Sequence, residues 1–291
     1  MINRSGFVNI IKPTGMTSSD VVCKVKKILG TKKVGHFGTL DPAASGVLPL
    51  GVGKATKFFD YFLSKDKEYI AQVQFGVLTD TLDSCGKILE MKDKVVSADE
   101  IEHILTNFIG KIKQIPPKYS AVKINGEKAY DLARQGVEFE IKARDIEIFS
   151  IELLKEISKN RFLFKVHCSA GTYIRTLFND IANLMGTVAT TPVIIRTQSG
   201  KFDTKTAITL EELERTQKIL RIEDIFSDIK HYEVEEVVAK KLINGVKIEK
   251  SELRVNVDTD EPFFVTYQLQ TLGFYCLVNN KISPIVFLFE N

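Results

Sequence analysis

Fifteen residues, Gly35 to Pro49, set three glycines and two prolines around a single carboxylate, Asp41. Glycines let such a backbone turn sharply and lie close to a ligand. Pro42 disfavours the helical region for the residue before it, which holds Asp41 extended. No second acidic residue lies near Asp41 in the sequence, while several lysines do. A lone carboxylate displayed in this way suits a nucleophile or an electrostatic stabiliser. The commoner meaning of Leu40-Asp41-Pro42 is a turn-capping aspartate, and spacing alone does not separate the two.

Other chemistries find no support. Gly51-Val52-Gly53-Lys54-Ala55-Thr56 lacks both the Walker spacing and the third glycine of a dinucleotide fingerprint. Asp80, Asp83 and Gly86 do not place carboxylates at the alternate positions of a calcium loop. There is no Gly-x-Ser-x-Gly elbow. The cysteines (23, 85, 168, 276) and histidines (36, 103, 167, 231) are scattered, so neither a disulfide framework nor a metal cage is expected.

The elements that must position this loop are mixed. Helical spacing recurs at Val21–Leu29, Ala55–Leu63, Ile101–Ile109, Ala129–Gln135 and Ile174–Met185. Ser18 or Ser19 is the expected cap of the first, Ser97-x-x-Glu100 boxes the third, and Thr209-x-x-Glu212 opens a further helix. Period-two alternation predicts a strand over 69–75, with Tyr69, Ala71, Val73 and Phe75 on one face, and a hairpin of 146–153 with 161–166. From about Ile225 the texture becomes strand-rich, at 263–269, 273–278 and 285–289. So small a module buries little core alone and is expected to dock on the rest.

With 291 residues, 44% hydrophobic and 26% charged, the chain is a globular protein of one large domain or two moderate ones. It has no apolar run long enough for a membrane helix and no secretion-signal layout in residues 1 to 20, so a cytoplasmic location away from membranes is expected. The net charge of +3 is uneven: residues 1–65 sum to +7 and residues 231–291 to −3. The basic quarter suits docking of a polyanion, while the acidic end argues against a uniform nucleic-acid coat.

The loop resembles the catalytic motif of the bacterial tRNA pseudouridine-55 synthases (the TruB family), G-H-x-G-T-L-D-P-x-A-x-G-V-L. Other blocks are similar to that family in the same order. They are Lys12-Pro13-Thr14-Gly15-Met16-Thr17-Ser18, Lys67-Glu68-Tyr69 with Thr79-Asp80-Thr81, Pro116-Pro117-Lys118-Tyr119-Ser120-Ala121-Val122-Lys123, and Cys168-Ser169-Ala170-Gly171-Thr172-Tyr173-Ile174-Arg175-Thr176-Leu177. The resemblance spans roughly residues 8 to 200.

It implies an α+β fold: a mixed, mainly antiparallel sheet flanked by helices, with a small C-terminal β-rich PUA-like module. The implied domains are 1–230, catalytic, with an RNA-contacting insertion at 118–145, and 231–291. The implied reaction turns uridine 55, in the T loop of tRNA, into pseudouridine, with neither cofactor nor metal. Asp41 would be the nucleophile, Arg175 its ionic partner, and Tyr69 a ring stacked on the target base with its hydroxyl near the C5 proton. Tyr173 and Ile194 would line the base pocket. His36 would sit where the nucleotide leaves its stack, and Lys12 would bind substrate or brace the active-site loop. Lys118, Lys123, Lys128, Arg134, Lys142 and Arg144 would meet phosphates of the T arm, and a monomer is the expected working unit.

The chain departs from the family pattern at Ile11, at Phe37 (often Thr) and at Ile194-Ile195-Arg196 (often Leu-Arg-Arg). A different class of function, a tRNA-binding folding helper with incidental or lost catalysis, predicts binding without a need for Asp41. A glycosidase predicts a second, paired carboxylate, and none is evident.

Overall fold

A computed structural model describes residues 5–253, 257 and 261–289; the outer ends of both expected domains, 1–4 and 290–291, lie outside them. Alternation places the centre of the main sheet. In the Lys67–Phe75 strand every odd-numbered residue is buried, because successive side chains point to opposite faces. The nine-stranded sheet runs Gly6–Lys12, Ser45–Val52, Ala189–Ser199, Lys67–Phe75, Arg161–Cys168, Arg144–Ser158, Gly110–Gln114, with Val34–His36 on the second and Phe202–Asp203 on the third. Its pairings among the described residues are antiparallel except one: Ser45 and Gly46 run parallel to Ile195 and Arg196. The expected hairpin is present and longer than the alternation indicated, turning at Ser158–Arg161.

Helices cover one face. Val21, Val22 and Val25 of Ser18–Leu29, Ile101 and Leu105 of Ala98–Leu105, and Leu177, Phe178 and Ile181 of Ile174–Leu184 share a core with Tyr69, Ala71, Val73 and Phe75. Thr17 caps the first helix, in a reciprocal box with Asp20, where Ser18 or Ser19 was expected. The reason is local: the buried Ser18 hydroxyl is engaged with the backbone of Leu40, accepting from its N–H at 2.9 Å and donating to its carbonyl at 3.1 Å. The 55–63 stripe forms a 3-10 turn, Gly53–Phe58, followed by the short helix Phe59–Leu63.

The other face of the sheet meets a second, five-stranded sheet, ordered His231–Glu233, Phe263–Tyr267, Gln270–Val278, Lys281–Phe287, Ile248–Glu249. The helix Glu236–Ile243 beside it has no counterpart in the sequence expectations; Val238, Ala239 and Leu242 are buried, but Val237 is exposed and interrupts the pattern. A phenylalanine cluster joins the two sheets: Phe7, Phe37, Phe58, Phe62, Phe202 and Phe226 with Phe264 and Phe274. Phe226 is its hub, with ring centroids 5.0 Å from Phe58, 5.2 Å from Phe274 and 5.5 Å from Phe264. Aromatic pairs add roughly 0.5–1.5 kcal/mol beyond the area they bury.

Truncating that hub is expected to be costly. Phe226→Ala should lower unfolding free energy by about 3–5 kcal/mol, read by urea denaturation, and should raise amide exchange in both sheets. Loss confined to the second sheet would show that the cluster does not join them.

Candidate active site

The Gly35–Pro49 segment leaves the Val34–His36 strand, turns, and returns as Ser45–Val52. Phe37 anchors its first half, fully buried and stacked on Phe62 at 5.1 Å, so the residue that departs from the family pattern plugs the loop into the phenylalanine cluster. Ser18 holds Leu40. The Gly15 N–H donates to the Pro42 carbonyl at 2.8 Å, and the Ala44 N–H to the Asp41 carbonyl at 3.1 Å. Gly46 has a φ of +106°, and a Cβ there would lie 2.2 Å from the Arg196 carbonyl oxygen, so only glycine fits where the strands run parallel.

Arg175 begins the second position of the Ile174–Leu184 helix, and its side chain is only 4% exposed. Its Nη2 lies 2.7 Å from Asp41 Oδ2 and donates to the Tyr119 carbonyl at 3.1 Å; its Nη1 donates to the Thr81 carbonyl at 2.7 Å and lies 3.7 Å from Asp83 Oδ2. The Asp41 side chain remains 37% exposed, opening onto a cavity of about 770 Å³. Arg175 thus supplies the charge, and three separate chain segments, the Asp41 loop, the Thr81–Asp83 turn and Tyr119, supply the oxygens that allow it to be buried.

Tyr69, Tyr173, Ile194, Arg175 and Asp41 line that one cavity. Tyr69 is 8% exposed, and burial pushes its hydroxyl up to about 12, against a smaller opposing pull from Arg196. It is therefore a neutral phenol at ordinary pH. Tyr173 caps the Arg175 helix, its N–H donating to Gln114 Oε1 at 2.8 Å and its carbonyl accepting from Gln114 Nε2 at 3.1 Å. Burial raises its hydroxyl pKa too.

His36 and Lys12 stand apart from the cavity lining. His36 ends its strand opposite Leu50, with Nδ1 buried and unpartnered. Burial, aided by Arg196, lowers its pKa and keeps it neutral. Of the two parts expected for Lys12, its complete burial fits the bracing of the active-site loop. Its ammonium donates to the carbonyls of Met16 at 2.7 Å, Pro13 at 2.9 Å and Pro42 at 3.5 Å. Burial drives its pKa down to about 8, with Asp41 pulling the other way.

Several site residues were not singled out from the sequence. Asp83 is nearly sealed beside Arg175 and accepts from the Thr81 hydroxyl and the Cys85 N–H; the only signal was its place just after Thr79-Asp80-Thr81. Lys67 lines the cavity, donating to the carbonyls of Leu63, at 2.8 Å, and Lys65; burial lowers its pKa to about 8. Arg196 lines it too and is 1% exposed, the signal being a cation that ends the apolar run Pro192–Ile195. Among the described residues no group of three or more histidines, cysteines or acids is placed to hold a metal, and no helix is long and apolar enough to cross a membrane.

Comparison with known proteins bears on this arrangement. A family model described as TruB family pseudouridylate synthase (N terminal domain) matches residues 26–174. The tRNA pseudouridine synthase B of Alkaliphilus oremlandii is 46% identical over 251 residues, covering 84% of this chain and 83% of that protein. Its counterpart in Clostridioides difficile is 44% identical over 291 residues, covering 95% and 96%. Among solved structures, a chain of a Cbf5-Nop10-Gar1 complex is similar with a TM-score of 0.72 at 26% identity, over 98% of this chain and 84% of that one. A chain of an H/ACA RNP bound to a substrate RNA containing 2'-deoxyuridine shares the fold, with a TM-score of 0.71 at 23% identity over 98% and 85%. With about half its length matched by the family model and relatives above 40% identity along most of it, the chain belongs to the TruB family of pseudouridine synthases.

Proposed function

We propose that this protein isomerises uridine 55, in the T loop of tRNA, to pseudouridine, with Asp41 as nucleophile and a base swung out into the 770 Å³ cavity. The observation that carries the reading is the Asp41–Arg175 pair at 2.7 Å, opening onto a cavity that Tyr69, Tyr173 and Ile194 line. The relatives named tRNA pseudouridine synthase B support tRNA as the substrate.

The chemistry is balanced within the substrate. The N1–C1′ bond breaks, the C5–C1′ bond forms, and one proton leaves C5 while one arrives at N1. No oxidant and no group donor is needed. Arg175 is the counter-ion of the carboxylate at 2.7 Å, and this charge-assisted contact fixes where its oxygens lie. Tyr69 offers a ring for stacking, worth roughly 1–3 kcal/mol per base, against the few kcal/mol spent in unstacking. In this reading its neutral hydroxyl relays the C5 proton.

Residues 118–145 stand largely outside the main core, with Lys118, Lys123, Lys128, Arg134 and Lys142 exposed. This supports their role as phosphate contacts along the T arm. Lys12 serves the same reaction from beneath, through its bond to the Pro42 carbonyl beside Asp41. The working unit is a monomer with a catalytic domain, 1–230, and a PUA-like module, 231–291.

Incubating the protein with an unmodified tRNA transcript and mapping pseudouridine tests the reading directly; the expected product lies at position 55. Asp41→Asn should keep RNA affinity while turnover drops roughly 10³- to 10⁴-fold. Loss of binding and folding together would make Asp41 structural. Tyr69→Phe keeps the ring and should cost about 10²-fold or more in kcat, with KM little changed. Equal turnover by the phenylalanine variant would remove the hydroxyl from the mechanism.

The pH dependence follows from Lys12 and Lys67, both pushed from 10.5 down to about 8 by burial. Between those values the unfolded chain holds protons that the folded chain has released, so their contribution to stability increases as pH rises. Lys12 meanwhile loses its charge beside Asp41. Turnover should therefore fall as pH climbs through about 8 while resistance to urea does not. A rate that stays flat to well above that pH would show that the ammonium charge is dispensable.

A further inference from the structure

Besides Arg175, the cations Lys12, Lys67 and Arg196 are buried around the cavity, at 0%, 6% and 1% exposure. Lys67 closes the end of the Phe59–Leu63 helix and Lys12 holds the turn before the first helix, each through backbone carbonyls. Arg196 is different. It forms no ion pair with an acidic side chain among the described residues. Burying a guanidinium without such a partner is expensive, and an apolar residue of similar volume is often the more stable choice. Packing alone is a poor reason for an arginine here.

What the guanidinium touches gives a better one. Its Nε donates to the Val47 carbonyl at 2.8 Å; Nη2 lies 3.3 Å from the Gly38 carbonyl and Nη1 3.4 Å from that of Thr39. Gly38 and Thr39 precede Asp41, and Val47 follows it, so one planar fork grips both feet of the loop that carries the carboxylate. On its other side Arg196 is the cross-strand partner of Tyr69 in the Lys67–Phe75 strand. Its charge bears on the Tyr69 hydroxyl. Gly46, which allows the Arg196 backbone to come so close, belongs to the same loop.

We propose that Arg196 is a positioning residue for the isomerisation, fixing the Asp41 loop and the Tyr69 hydroxyl relative to one another through a single guanidinium. This rests on the roles given above to Asp41 and Tyr69. A lysine retains the charge but is a point donor on a flexible stem, and it cannot reproduce a fork that reaches three carbonyls. Displacing reacting groups by about an ångström costs on the order of 10²-fold in rate.

The test uses Arg196→Gln and Arg196→Lys in the full chain, with unmodified tRNA transcript, measuring kcat, KM and the thermal midpoint of each. RNA affinity is measured for each change in an Asp41→Asn background. The expected result is a fall in kcat of about 10²-fold for glutamine and about tenfold for lysine, with KM and RNA affinity within about twofold of the parent. Folded variants that keep wild-type kcat would overturn the proposal. So would a raised KM with unchanged kcat, which makes Arg196 an RNA contact, or full rescue by lysine, which leaves only its charge. If neither variant folds, the guanidinium is a folding element and the proposal fails. Wild-type protein that makes no pseudouridine would instead overturn the proposed function, which separates the two failures.

Discussion

A guanidinium removed from water must be surrounded by oxygens, and Arg175 shows how much structure that demand organises. Its partners are a carboxylate from the Asp41 loop, the carbonyl of Tyr119, the carbonyl of Thr81 and the carboxylate of Asp83. None of these belongs to its own helix. Losing any of them leaves a buried charge short of a partner, which typically costs more than the contact itself contributes. The site is consequently a knot of four chain segments tied at one side chain, and the cavity is the space that the knot leaves open toward solvent.

The same rule applies to the two buried lysines. Lys12 and Lys67 each find carbonyls at places where the backbone has none of its own N–H groups to offer, at a turn and at a helix end. Their charges serve as internal fasteners for the loop and for the cavity wall. The interior cations shape the backbone that carries the carboxylate.

Much of this was legible in the sequence, for identifiable reasons. Alternation in 69–75 and the apolar stripe at 174–185 were strong enough to place Tyr69 on one strand face with Ala71, Val73 and Phe75, and Arg175 at a helix start. The motif around Asp41 carried its resemblance partly in glycines, and two of them, Gly38 and Gly46, adopt the positive φ that favours glycine. The pairing partners were not legible. Asp83 and Arg196 reach the site through contacts between residues far apart in the chain, which periodicity does not encode. The cap at Thr17 was displaced by one residue because Ser18 is recruited by Leu40, a tertiary demand overriding a local preference. The phenylalanine cluster escaped notice as well, since its members come from strands, turns and short helices on no common repeat.

The parallel pairing within the nine-stranded sheet has a consequence for the newborn polypeptide. The strand that carries Arg196 joins the loop strand across 149 positions, as its bond to Val47 records. Strands that meet over such separations cannot zip locally and form late, and synthesis delivers the N-terminal part first. The ribosome therefore releases Asp41 long before the fork of Arg196 exists to clasp its loop. Until Ala189–Ser199 emerges, the nascent chain carries an unfinished cleft, without the Ile194 and Arg196 side of its wall.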